Sequence, residues 1–184
     1  MEFVVAIILL VFAVLCIVMA IKTSNIKKKQ KKAIKVLKAH GLTQQLIAKH
    51  TYGLPIAEGL ACTIQAYNDH IDFLSGTTHI TLGNEKITDI CIKNETEIQK
   101  QYVSSVGGAV GGAVLFGPLG AMIGGRAKKK TSKTTSFYFI ITYKKADAAL
   151  DYLGFDVSGC VWQASKLVDE FHKNNKKGNT HIEL

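Results

Sequence analysis

The longest apolar run opens the chain: Phe3 to Ile21 is nineteen consecutive residues drawn only from Val, Ile, Leu, Phe, Ala, Cys and Met. At about 1.5 Å per residue this makes a helix of roughly 28 Å, close to the thickness of a hydrocarbon core. The expectation is a retained transmembrane helix over residues 1–22. Glu2 stands where a signal peptide carries basic residues, and Leu15 before Cys16 is too large for lipoprotein processing. Residues 23–52 then read as a basic helical stalk. Ile34 and Leu37 share a face among lysines, His40-Gly41 forms a C-terminal stop, and Thr43 caps a second short helix bearing Leu46 and Ile47.

Beyond Gly53-Leu54-Pro55 the helical period gives way to short apolar or alternating runs separated by polar pairs, as in antiparallel strands. Cys62–Tyr67 and Ile71–Leu74 flank the turn Asn68-Asp69-His70; His79–Leu82, Lys86–Lys93, Ser136–Lys144 and Leu150–Val157 follow. Val161, Ala164, Leu167, Val168 and Phe171 recur at helical spacing with Trp162 beside them, so an amphipathic helix closes the chain. Residues 53–174 are therefore one domain, and residues 175–184 a polar, flexible tail.

These elements resemble bacterial pleckstrin-homology-like or GRAM-like domains: the hairpin around Tyr67–Ile71, the segment Glu85–Ile90, the strands Phe137–Tyr143 and Tyr152–Val157, and the final helix with Trp162 and Phe171. Six strands are legible, one fewer than in that family. The expected fold class is α+β: an N-terminal transmembrane helix, then a mainly antiparallel PH-like β barrel or sandwich closed by a C-terminal helix, with a glycine-rich helical-hairpin insertion. The resemblance implies a headgroup-binding or protein-binding module without catalysis.

Charge refines this picture. Lys22, Lys27, Lys28, Lys29, Lys31, Lys32, Lys35, Lys38 and Lys49 equal the whole formal excess of +9, leaving residues 51–184 nearly neutral. The basic balance is thus local, and no nucleic-acid partner is expected. With nothing basic before the apolar run, the positive-inside rule places the N-terminus outside a cell membrane and the body in the cytoplasm. The four cysteines are far apart, which suits reduced, buried thiols rather than a metal set.

Between Lys100 and Arg126 there is no charge, and Gly107, Gly108, Gly111, Gly112, Gly117, Gly120, Gly124 and Gly125 mix with large apolar residues. Four-residue glycine spacing makes a smooth helix face that lets backbones approach closely, as in glycine-zipper membrane proteins. Phe116-Gly117-Pro118-Leu119 divides the segment into two arms, within an insertion spanning 103–134. A re-entrant hairpin, self-association into a homo-oligomer, and a flexible loop remain open. Arg126, Lys128, Lys129, Lys130 and Lys133 mark its exit, and with Lys27, Lys28, Lys29, Lys31 and Lys32 they are the candidate contacts to anionic lipid headgroups. A phosphate loop fails, because Arg126-Ala127 follows where Lys and then Ser or Thr are needed.

No Ser/His/Asp order or His-Glu-x-x-His occurs, and Asp69, His70 and Asp72 crowd a hairpin whose turn chemistry accounts for them. The expectation is no enzyme, no cofactor and no metal, but a membrane-tethered interaction module with an unknown protein partner. The alternative is a membrane-inserting oligomeric effector, toxin-like or phage-borne, that alters permeability.

Loop closure varies slowly with length, so replacing Ser104–Lys130 by a short Gly/Ser linker is expected to leave the strand signature in circular dichroism intact. Loss of that signature would mean the insertion belongs to the β core.

Overall fold

In the computed structural model, residues 2–98, 100 and 135–178 are described. The chain divides into two units, Met1–Leu42 and Thr43–Leu184.

The first unit is essentially one helix, α1 (Glu2–Ala39). Its end is as expected: His40 N–H donates to the carbonyls of Val36 and Leu37, Gly41 N–H to that of Lys38, and Gly41 takes φ +89°, the left-handed conformation that closes a helix. The transmembrane reading is corrected. Among the described residues no helix is long and apolar enough to cross a membrane. The apolar run and the basic stretch are not a span and a separate stalk. Lys, Gln and Ala are good helix formers and no breaker lies at the junction, so the helix continues unbroken for 38 residues, a rod of about 57 Å. The single-pass description falls with the span.

The second unit is an antiparallel sheet of seven strands with a C-terminal helix. The strands are β1 (Leu42–Tyr52), β2 (Ala61–Tyr67), β3 (His70–Ser75), β4 (Thr78–Gly83), β5 (Ile87–Asn94), β6 (Phe137–Lys144) and β7 (Leu150–Asp156), followed by helix α2 (Val161–Gly178). Their order is β4-β3-β2-β1-β7-β6-β5. Every strand read from the sequence is present. The seventh is β1, where a capped helix was expected. Leu46, Ala48 and His50 are buried while Ile47 and Lys49 are exposed, a period of two that the adjacent pair Leu46-Ile47 disguised as a helical turn.

A closed barrel or sandwich is also corrected, because the sheet is open, with β4 and β5 as its edges. α2 lies against β5 instead, where His172 Nε2 donates to the carbonyl of Ile90 at 2.9 Å. A helix that covers an edge and satisfies one of its carbonyls removes much of the drive for β5 to pair further. β1 joins the two halves of the sheet, yet its register with β7 covers only Lys49 to Tyr52. Where that pairing ends, the Cys160 thiol donates to the carbonyl of Ile47 at 3.4 Å. Gly53, at φ +97°, lets the chain pass so close to β7 that a Cβ would stand 2.2 Å from the Tyr152 carbonyl oxygen.

The core gathers one face of every strand and the stripe Ala164, Leu167 and Phe171 of α2. Phe155 is its centre, stacked on Phe73 at 5.5 Å and packed beside Phe139 and the buried His50. His50 Nδ1 donates to the Ala57 carbonyl and Nε2 accepts from Leu54 N–H, so a neutral ring holds the loop between β1 and β2. The β5–β7 half is buried on its second face too, by Ile98, Tyr138, Ile140 and Tyr152. Hence the continuous apolar run Phe137–Ile141 rather than an alternating one. Ile98 is delivered by a helical turn at 95–98, opened by the reciprocal bonds Glu97 N–H to Asn94 Oδ1 and Asn94 N–H to Glu97 Oε2.

Trp162 does not join this core: it is 67% exposed, with Lys166 Nζ 3.7 Å from the ring centroid. Phe171→Ala is therefore expected to cost about 3–5 kcal/mol, whereas Trp162→Ala, losing chiefly an exposed cation–π contact, should cost about 1 kcal/mol or less. Urea unfolding of the two variants checks the order.

Candidate functional site

The turn Asn68-Asp69 between β2 and β3 is where the polar chemistry of the body concentrates. On its inner side lies a cavity of about 160 Å³ between the sheet and α2. Leu167, Glu170, Phe171 and Asn174 enter from α2 at helical spacing, one face of the helix. Ala66 and Ile71 complete an apolar floor, and Thr43, Tyr67, Asn68 and Asn84 stand around it.

Asn84, in the 3₁₀ turn Asn84–Lys86 after β4, ties this rim together. Its backbone N–H donates to the Asp69 carbonyl at 2.8 Å and its Nδ2 to the Asn68 carbonyl at 3.0 Å. Its Oδ1 is buried without a partner, an unfavourable state for an amide oxygen. The Thr43 hydroxyl is engaged by the Ala66 carbonyl at 3.0 Å. Glu170, in contrast, has no salt-bridge partner among the described residues.

The outer face of β2–β4 carries a connected polar network. Asp72, whose side chain is 12% exposed, accepts from the Thr81 hydroxyl at 2.6 Å and lies 3.0 Å from His79 Nε2 and 3.7 Å from His70 Nε2. His70 also meets Asp69 Oδ1 through Nδ1 at 2.7 Å, and its ring stacks on Tyr67 at 4.5 Å. The hydrogen bond from His70 holds the Asp69 carboxyl below the usual carboxylate value. Burial, with Asp72 adding to it, raises the Tyr67 phenol. Turn chemistry thus accounts for Asp69 and His70 but not for Asp72. That side chain belongs to a strand face, and its partners His79 and Thr81 arrive from β4 through the register Asp72↔Thr81. The sequence signal for this was the short link between β3 and β4, which sets polar positions of both strands opposite one another.

Among the described residues no group of three His, Cys, Asp or Glu side chains is arranged to hold a metal ion. The four cysteines are free, and burial pushes the Cys62 and Cys91 thiols up to about 11, so both stay protonated at neutral pH.

Of the residues expected to contact lipid, Lys28, Lys29, Lys31 and Lys32 are exposed on α1, and Lys27 lies in the same helix. Arg126, Lys128, Lys129, Lys130 and Lys133 are outside the described residues. So are all eight glycines of the proposed zipper interface, Gly107, Gly108, Gly111, Gly112, Gly117, Gly120, Gly124 and Gly125. The cavity and the Asp72 network were not anticipated as sites, because neither is contiguous in sequence. No protein-family model matches the chain, and no curated protein matches it.

Asp72→Ala, which removes a buried acceptor of two side-chain bonds, is expected to cost about 1.5–3 kcal/mol at neutral pH. Asp69 acts differently with pH. Because its folded value is depressed, its contribution is present above the ordinary carboxylate value and is lost as the pH falls through the depressed one. Asp69→Asn should therefore flatten the acid side of the stability profile, measured as thermal midpoint against pH, by lowering the midpoint slightly at neutral pH and leaving it unchanged below the depressed value.

Proposed function

We propose that this chain is a non-catalytic interaction module whose body binds a partner group in the cavity beside α2 and whose α1 contacts an anionic lipid surface. The observation that carries the second part is the exposure of both halves of α1. Phe3 is 87% exposed, Phe12, Leu15, Ile17, Val18, Met19 and Ile21 are exposed with it, and Lys22, Lys28, Lys29, Lys31, Lys32, Lys35 and Lys38 follow on the same rod. Apolar surface on this scale is unfavourable in water and calls for a cover. An apolar block continued by a block of lysines matches a surface that is itself apolar beneath and anionic above, each lysine adding about 1 kcal/mol near it. Contact with the surface is all that this reading requires.

For the body, an antiparallel sheet with a C-terminal helix is in keeping with the pleckstrin-homology-like or GRAM-like modules that the sequence resembles, which bind without catalysis. The protonated thiols and the structural part played by His50 also favour binding over chemistry.

Flotation of the full chain with vesicles tests the lipid contact. Binding is expected to vesicles containing phosphatidylglycerol, to weaken with added salt, and to fall by about tenfold or more when Lys28, Lys29, Lys31 and Lys32 are all changed to Gln. Equal binding of parent and variant to neutral and anionic vesicles would overturn the electrostatic part. Leakage of an entrapped dye would favour a permeabilising effector instead.

A further inference from the structure

The cavity beside α2 has a chemistry that selects its occupant, and this inference rests on the reading of the body as a binding module. Its floor is apolar, from Ala66, Ile71, Leu167 and Phe171, and among the described residues Glu170 is the charged group at its edge. Glu170 brings a carboxylate with no salt-bridge partner among the described residues. Among the described residues, no lysine or arginine lines the cavity. Among the described side chains of α2, Lys166 has its Nζ over Trp162, and Lys173 lines a neighbouring open hollow together with Glu170 without forming a salt bridge to it.

An anionic group entering here would face a carboxylate with no ion-pair partner among the described residues, and a purely apolar one would leave that carboxylate unpaired. An ammonium group on a short alkyl stem meets both needs: methylenes against the floor, and charged donors for the carboxylate. The volume of about 160 Å³ corresponds to roughly five water volumes, enough for a stem of about four carbons and its nitrogen.

We propose that the cavity lined by Ile71, Asn84, Leu167, Glu170 and Phe171 binds a primary alkylammonium group, supplied by a free amine or by a lysine side chain of a partner peptide.

Titration of the full-length chain in a non-ionic detergent, followed by NMR of the Ala66 and Ile71 signals, tests this with n-butylammonium, N-acetyl-lysine amide, n-pentanol and pentanoate. Both ammonium probes are expected to shift these signals with dissociation constants of about 0.1–10 mM, as suits so few atoms. The tighter of the two identifies the source. Glu170→Gln, which keeps size and removes charge, should weaken them about tenfold or more. Asn174→Asp, which adds a second carboxylate at the rim, should tighten them, so the proposal remains testable if one variant is misfolded. Pentanol binding as tightly as butylammonium, or an unchanged affinity in a folded Glu170→Gln, would overturn the ammonium assignment and leave a binding cavity standing. No shift with any probe would overturn the cavity as a binding site as well.

Discussion

The stacking of Phe155 on Phe73 is the contact on which the body depends. Phe155 lies on β7 and Phe73 on β3, in opposite halves of the sheet, and the two rings meet at 5.5 Å with planes only 4° apart. Phe139 and His50 close around the same ring. An aromatic pair of this kind adds about 0.5–1.5 kcal/mol beyond the area it buries, but its larger effect is geometric. Among the described residues, the sheet hydrogen bonds between the two halves run through the short β1–β7 register, and the aromatic rings packed between the halves hold them together as well.

That packing makes room for α2. The stripe Ala164, Leu167 and Phe171 completes the same core, and Leu167 and Phe171 also floor the cavity, so the residues that stabilise the body shape its candidate site. Glu170 lies between them on the helix and takes its place from their burial. Stability and the shape of the candidate site are therefore coupled through α2: a change that loosens its apolar stripe must also displace the carboxylate. The opposite wall is fixed independently, by Asn84 holding the β2–β3 turn through two hydrogen bonds to its backbone.

The two faces of the sheet are used differently. Around β5–β7 both are buried, which commits that half to structure. Around β2–β4 the outer face is free to carry Asp72, His79, His70 and Thr81, a network that ties edge strand β4 to β3 through side chains as well as backbone. Charged and imidazole groups on that edge also disfavour pairing with another strand.

Much of this was legible in the chain itself. The six strands from Cys62 to Val157, the C-terminal helix and its stripe through Phe171, and the stop at His40-Gly41 follow from local periodicity and turn chemistry, which act over a few residues. What failed did so where competition is not local. Leu42–Tyr52 has apolar residues at both helical and strand spacing, and only the place between β2 and β7 decides for a strand, because there both edges of its backbone find partners. The apolar run from Phe3 read as a span, but among the described residues no helix is long and apolar enough to cross a membrane, and the helix runs on through the lysines to Ala39. Closure into a barrel was undone by α2 covering β5, and Trp162, adjacent in sequence to the buried stripe, points off it. The cavity and the Asp72 network were beyond reach for the same reason: Asp72 and His79, or Ile71, Asn84 and Glu170, share no pattern along the chain. Periodicity determined which face of each element is apolar; only the packing of those faces against one another decided which polar groups came together.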